Sequence, residues 1–114
     1  MKEKIKKTLK FSKKIIPLVL SGEKTVTWRL FDDKDLIEGD EVIFLDKETK
    51  QPFVEASLVE VREKMFKDLT EEDKRGHEGF KNKEEMLKTY SDYYKTEVTL
   101  DTPLKIVRFK IIKK

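Results

Sequence analysis

The chain contains no cysteine and a single histidine among its 114 residues. The lack of cysteine excludes disulfides, thiolate zinc sites and thiol catalysis. Because His77 is the only imidazole, a metal site built on several histidines is also excluded, and we expect neither a metal nor a cofactor. A cysteine-free chain is most simply intracellular, so we expect a cytoplasmic protein.

Side-chain amides are almost absent too, since Gln51 and Asn82 are the only ones, while charged residues make up 43% of the chain. Scarce amides with abundant Lys and Glu are typical of hyperthermophile proteins. The composition therefore predicts a thermophilic source.

Long apolar runs are also missing. No stretch approaches the ~18 apolar residues of a transmembrane helix, and the short run over 15–20 is interrupted by Pro17. We expect no membrane segment and no signal peptide.

What is present suits one small folded domain spanning residues 1–114. Hydrophobic residues are 37% of the chain and include seven Phe, three Tyr and one Trp. This aromatic area can offset chain entropy and argues against disorder.

Positive charge is concentrated at the two ends of the chain. Residues 1–30 carry nine Lys or Arg against two Glu, and residues 105–114 carry five and no acid; residues 31–50 carry three against eight, and 51–104 nine against thirteen. If the first and last strands lie close together, the ends form one basic surface for a nucleic-acid backbone. Terminal lysines that merely keep the chain solvated would give the same pattern.

Hydrophobic periodicity and turn residues predict an α+β fold with a small barrel-like sheet. Gly22 is placed where a glycine ends a helix, and Thr70 and Asn82 are placed as helix N-caps. The predicted strands cover 8–12, 25–31, 41–46, 53–62 and 104–112; the predicted helices cover 13–20, a short segment from 70 to about 76, and a segment following 82.

The segment 22–29 carries the clearest functional signal. After Lys24 it alternates, so that Val26 and Trp28 fall on one face of a strand, whereas Thr27 and Arg29 fall on the other. Threonines flanked by Lys and Arg can bind an anionic or carbonyl-bearing ligand. An ordinary surface strand could also carry these threonines.

The order of the motifs resembles that of ASCH domains, which are small PUA-like β-barrels. The resemblance covers essentially the whole chain and rests on Gly22-x-Lys24-Thr25-x-Thr27-x-Arg29 after a short helix, and on His77-Glu78-Gly79-Phe80 between two helices. It implies a mixed or antiparallel barrel of five to six strands, flanked by two to three short helices. It also implies a ligand cleft between the barrel and the helices.

ASCH proteins are associated with RNA, and some bacterial members resemble amidohydrolases of N4-acetylcytidine. Lys24, Thr27 and Glu78 match the catalytic positions of those enzymes. Since Lys24 and Thr27 have opposite strand parity, we expect Lys24 to lie in the turn after Gly22, before strand pairing begins; a bulge would also serve.

Six further residues are candidates for ligand contact: Gly22, Thr25, Trp28, Arg29, His77 and Tyr90. Several have simpler interpretations. Trp28 shares parity with core residues but could stack on a base, His77 could be a loop or capping residue, and Tyr90 could be helix packing.

Three functions therefore remain open. The first is binding of RNA or a modified nucleoside, by a protein we expect to be monomeric. The second is hydrolysis of an acylated cytidine by Lys24, Thr27 and Glu78. The third is a protein-interaction domain, for which the sequence offers no specific sign.

Overall fold

A computed structural model of the chain describes residues 6–31, 34–77 and 79–113. Over those ranges five strands and three α-helices are formed, and no helix has the length and apolar character that crossing a bilayer requires. In chain order they are β1 (Lys7–Phe11), α1 (Ile16–Ser21), β2 (Val26–Arg29), β3 (Glu41–Asp46), β4 (Pro52–Met65), α2 (Glu71–Lys74), α3 (Lys83–Tyr94) and β5 (Pro103–Lys113).

The strands form one mixed sheet in the order β1-β3-β4-β5-β2. β1 runs parallel to β3, and the other neighbours are antiparallel. The sheet curls into a half-barrel, which confirms the predicted α+β barrel-like class. β3 and β4 separate β1 from β5, so the two basic ends of the chain are not sheet neighbours. The two edge strands are instead β1 and β2.

The core lies on both faces of the curled sheet. On one face Phe11, Phe44 and Phe109 pack together, with ring centroids 4.6 Å apart for the first two and 4.9 Å for the last two. On the other face α3 covers a second cluster that includes Trp28 and Ile106. β5 contributes to both clusters and is the central element of the core.

Two predicted boundaries move for physical reasons. α1 begins at Ile16 rather than at residue 13, because Pro17 must lie in the first turn, where its missing N–H and its ring are tolerated. β2 ends at Arg29, and Phe31 adopts a left-handed φ of 52° that ends the extended run. A 3-10 turn over Phe66–Asp68 was not predicted from the sequence.

α2 is anchored to β4 through Asp73. Its carboxylate is 1% exposed, forms ion pairs with Arg62 and Lys64, and accepts a hydrogen bond from the Thr70 N–H. Burial raises the pKa of Asp73, but the hydrogen bonds from Lys64, Thr70 and Arg62 outweigh it and leave the pKa below its usual range. This anchor fixes the segment that follows α2 against the start of β2.

Candidate functional site

A cavity of about 180 Å³ lies between the two edge strands of the half-barrel. We call the gap between β1 and β2 the seam, and this space the seam cavity. Its lining residues come from β1 and the turn after it, from β2 and its approach, from the end of β3, and from the last turns of α3. They are Lys10, Phe11, Ser12, Ile15, Lys24, Thr27, Trp28, Arg29, Lys47, Tyr90, Tyr93 and Tyr94.

Lys24 enters the cavity from the turn between α1 and β2. Gly22 ends α1 with a left-handed φ of 85°, and the backbone N–H of Lys24 then donates to the Leu18 carbonyl at 3.0 Å. β2 begins only at Val26, so Lys24 precedes strand pairing, which confirms the expected position. Its side chain is 4% exposed.

Thr27 and Arg29 form the β2 side of the seam. The Thr27 side chain is 4% exposed, and its Oγ1 accepts a hydrogen bond from Arg29 Nε at 3.1 Å. Because the Thr27 hydroxyl accepts in that bond, the hydroxyl proton of Thr27 remains available to donate to a ligand. A fixed cationic donor on Oγ1 would also stabilise negative charge that develops there.

Arg29 also ties the two edges of the sheet together. Its Nη2 donates to the Lys10 carbonyl at 3.0 Å, and the centre of its guanidinium lies 4.6 Å from the centroid of the Phe11 ring. β1 and β2 are not hydrogen-bonded as strands. The guanidinium therefore provides a side-chain link across the seam.

Aromatic side chains form the α3 side of the cavity. Trp28 stacks on His77 with centroids 3.9 Å apart, and His77 Nε2 lies 2.9 Å from Tyr90 Oη. Trp28 and Tyr90 line the seam cavity, whereas His77 lines a second space of about 270 Å³ on the other side of the indole. His77 is thus placed to position Tyr90.

Two buried polar atoms on lining residues have no hydrogen-bond partner among the described residues. They are Ser12 Oγ and Trp28 Nε1. Buried polar groups are normally satisfied, so these two atoms are exceptions among the residues that line the cavity.

The other predicted site residues lie apart from the cavity or outside the described residues. Gly22 and Thr25 are exposed and do not line the cavity. The N–H of Thr25 instead donates to the Gly76 carbonyl at 2.9 Å, a contact that joins the end of α2 to β2. Glu78 lies outside the described residues. The cavity thus brings together Lys24, Thr27, Trp28, Arg29 and Tyr90.

Several lining residues were not identified from the sequence as site residues. Lys10, Phe11 and Ser12 belong to β1, and Lys47 follows β3. A local alternation could not find them, because they reach the site only when the sheet curls and its two edges approach. Tyr93 and Tyr94 follow Tyr90 on α3, and their spacing was the only available signal.

No family model matches the sequence, and no curated protein matches it. Solved structures resemble the fold. Protein EF3133 from Enterococcus faecalis V583, of the family model DUF984, has a TM-score of 0.79 at 20% identity, over 99% of this chain and 84% of that one. The ASCH domain from Lactobacillus crispatus JV V101 has a TM-score of 0.64 at 18% identity, over 86% and 70% of the two chains. ASCH from Zymomonas mobilis has a TM-score of 0.63 at 12% identity, over 90% and 65%. These likenesses confirm the ASCH-type fold that the sequence motifs predicted.

Proposed function

We propose that this ASCH-type domain binds RNA or a modified nucleoside in the seam cavity. The observation that carries the proposal is the convergence of Lys24, Thr27 and Arg29 on a space walled by Trp28 and Tyr90. Flat aromatic walls suit a nucleobase, which stacks on such side chains. Hydroxyl and cationic donors suit the carbonyl oxygens at a base edge.

The cavity volume restricts which part of the ligand enters. About 180 Å³ is below the roughly 300–1,000 Å³ of pockets that enclose drug-sized ligands. One planar ring therefore enters, while the sugar stays at the mouth. Inside, the Thr27 hydroxyl donates to a base carbonyl.

Binding can be followed through Trp28, because it is the only tryptophan in the chain and lines the cavity. Titrating the protein with cytidine and N4-acetylcytidine should quench or shift its fluorescence. Thr27→Val removes the hydroxyl at nearly constant volume and should weaken binding about tenfold, or about 1.4 kcal/mol.

A matched control is Thr25→Val, which changes a threonine at an exposed site outside the cavity. The affinity of this variant should stay within about twofold of wild type, a smaller change than the loss of one hydrogen bond would cause. Equal losses in the two variants, or saturating binding by the Thr27 variant, would contradict the assignment of the site.

A second candidate function is amide hydrolysis of an acylated cytidine, and the Arg29–Thr27 hydrogen bond is the observation that favours it. In this reaction Thr27 Oγ1 attacks the amide carbon and its proton passes to Lys24 Nζ, which must first lose its own proton to act as the base. The oxyanion then collapses, the C–N bond breaks, and Lys24 returns the proton to the leaving nitrogen. Water hydrolyses the resulting acyl-threonine ester to a carboxylic acid. The motif resemblance assigns a third role to Glu78.

Incubation with N4-acetylcytidine, followed by chromatography for cytidine and acetate, tests the hydrolase. Wild type should turn over, and Lys24→Ala should lose at least about a hundredfold, the usual scale for removing a general base. Lys13→Ala serves as the control, because this exposed lysine on the turn before α1 pairs with Glu48 and does not line the cavity. Absence of turnover by wild type would leave binding as the sole function, whereas full turnover by the Lys24 variant would contradict the assignment of Lys24 as the general base.

A further inference from the structure

Two lysines stand together at the mouth of the seam cavity. Lys10 is on β1, Lys47 directly follows β3, and the two strands run parallel with Phe11 paired to Asp46. The N–H of Lys47 donates to the Phe11 carbonyl at 2.9 Å, which closes the corner between them. Both side chains are exposed and both line the cavity.

These two lysines differ from others near them. Lys6, Lys7 and Lys13 each form an ion pair with a carboxylate. Within residues 6–31, 34–77 and 79–113, neither Lys10 nor Lys47 has a carboxylate at ion-pair distance. The mouth therefore carries two positive charges that no described acidic side chain compensates.

The residues that line the rest of the cavity also carry an excess of positive charge. Its lining residues include four cations, Lys10, Lys24, Arg29 and Lys47, and no described lining residue is acidic. Arg29 is occupied in part by Thr27 Oγ1 and the Lys10 carbonyl. The two mouth lysines are therefore the cations placed to meet an anion arriving from solvent.

Tyr93 completes the mouth. Its ring is 40% exposed, and Lys47 Nζ lies 5.8 Å from the ring centroid. An ammonium is attracted to the face of an aromatic ring, so the ring can help to hold the lysine side chain in place without a carboxylate partner. This contact holds Lys47 over the mouth.

We infer that the ligand of the seam cavity carries a phosphate, which Lys10 and Lys47 hold at the mouth while the base occupies the interior. The inference rests on the proposed binding function and removes the uncharged nucleoside from it, which leaves a nucleotide or the phosphodiester of an RNA strand. The small interior favours this arrangement, because a ring that enters it leaves the sugar and phosphate at the mouth beside the lysines.

Trp28 fluorescence titrations with cytidine, with its 5′- and 3′-monophosphates and with the dinucleotide cytidylyl-cytidine test the inference. At low salt at least one phosphate-bearing ligand should bind about tenfold more tightly than cytidine, and the advantage should shrink as salt rises. Tighter binding of a monophosphate would identify a free nucleotide, whereas tighter binding of the dinucleotide would identify an RNA strand.

The double variant Lys10→Met/Lys47→Met should bind all of these ligands as weakly as cytidine. Lys13→Met/Lys88→Met removes the same charge from lysines outside the cavity that are paired with Glu48 and Asp92, and it should keep the preference. Equal affinity of wild type for cytidine and for every phosphate-bearing ligand overturns the inference but leaves the proposed function standing. Absence of binding by all of them overturns both.

Discussion

Replacing Arg29 with methionine tests whether the guanidinium holds the seam together. The change keeps an unbranched apolar stem but removes the hydrogen bonds to Thr27 Oγ1 and the Lys10 carbonyl, and the cation–π contact with Phe11. Each hydrogen bond is worth about 1 kcal/mol net and the cation–π contact about 0.5–1 kcal/mol at a half-buried site. The free energy of unfolding should fall by about 2–4 kcal/mol, since part of the loss is the desolvation of the abandoned carbonyl.

Urea unfolding followed by circular dichroism measures this loss without needing a ligand. Arg29→Lys should recover less than half of it, because one ammonium cannot reproduce the planar fork that reaches two acceptors. Arg75→Met is the control, since that guanidinium is exposed and pairs with Glu72 one turn away; its cost should stay below about 0.5 kcal/mol. If the free energy of unfolding of Arg29→Met lies within 0.5 kcal/mol of the wild-type value, the side-chain link across the seam does not stabilise the fold.

Two further predictions concern the segment that α2 fixes. Asp73→Asn should cost about 2–4 kcal/mol near neutral pH, because it leaves two cations beside a buried neutral group. The pKa of Asp73 is lowered in the folded state, so its contribution to the free energy of unfolding is complete above the unfolded pKa near 4 and declines as pH falls through the folded pKa. Urea titrations should therefore show that the variant loses less stability than wild type below about pH 5. Parallel pH profiles of the two proteins would contradict this. Gly76→Ala should cost about 2–4 kcal/mol, because φ is +83° and the new Cβ would lie 2.0 Å from Thr25 Oγ1. Gly39→Ala, at φ +95° with open space around it, should cost only about 1–2 kcal/mol, and equal costs would show that the Thr25 contact is easily relieved.

The β2 region shows how far local sequence patterns reach. Alternation placed Val26 and Trp28 in the core and Thr27 on the opposite face, and the parity argument placed Lys24 in a turn; all four positions are confirmed. The same alternation also selected Thr25 as a ligand contact. Thr25 lies before the strand begins, and its backbone N–H donates to the Gly76 carbonyl. The alternation of residues along a strand does not show at which residue strand pairing starts.

The β1 side of the seam was out of reach for a different reason. Lys10 and Lys47 come together because β1 pairs in parallel with β3, and they meet Thr27 only because the sheet curls. Parallel pairing and curvature depend on contacts between distant segments, which a single sequence does not display. The prediction for His77 was close but not correct in detail. It was predicted to contact the ligand, whereas in the structure it contacts Tyr90, which in turn lines the cavity.

A crystal structure of the protein with cytidine 5′-monophosphate would show directly whether the seam cavity takes a base and its mouth a phosphate. We expect the base inside the seam cavity against Trp28 and Tyr90, with a ring carbonyl within hydrogen-bond distance of Thr27 Oγ1 and the phosphate between Lys10 and Lys47. A nucleotide bound instead in the second space beside Phe80, with the seam cavity unchanged, would contradict it.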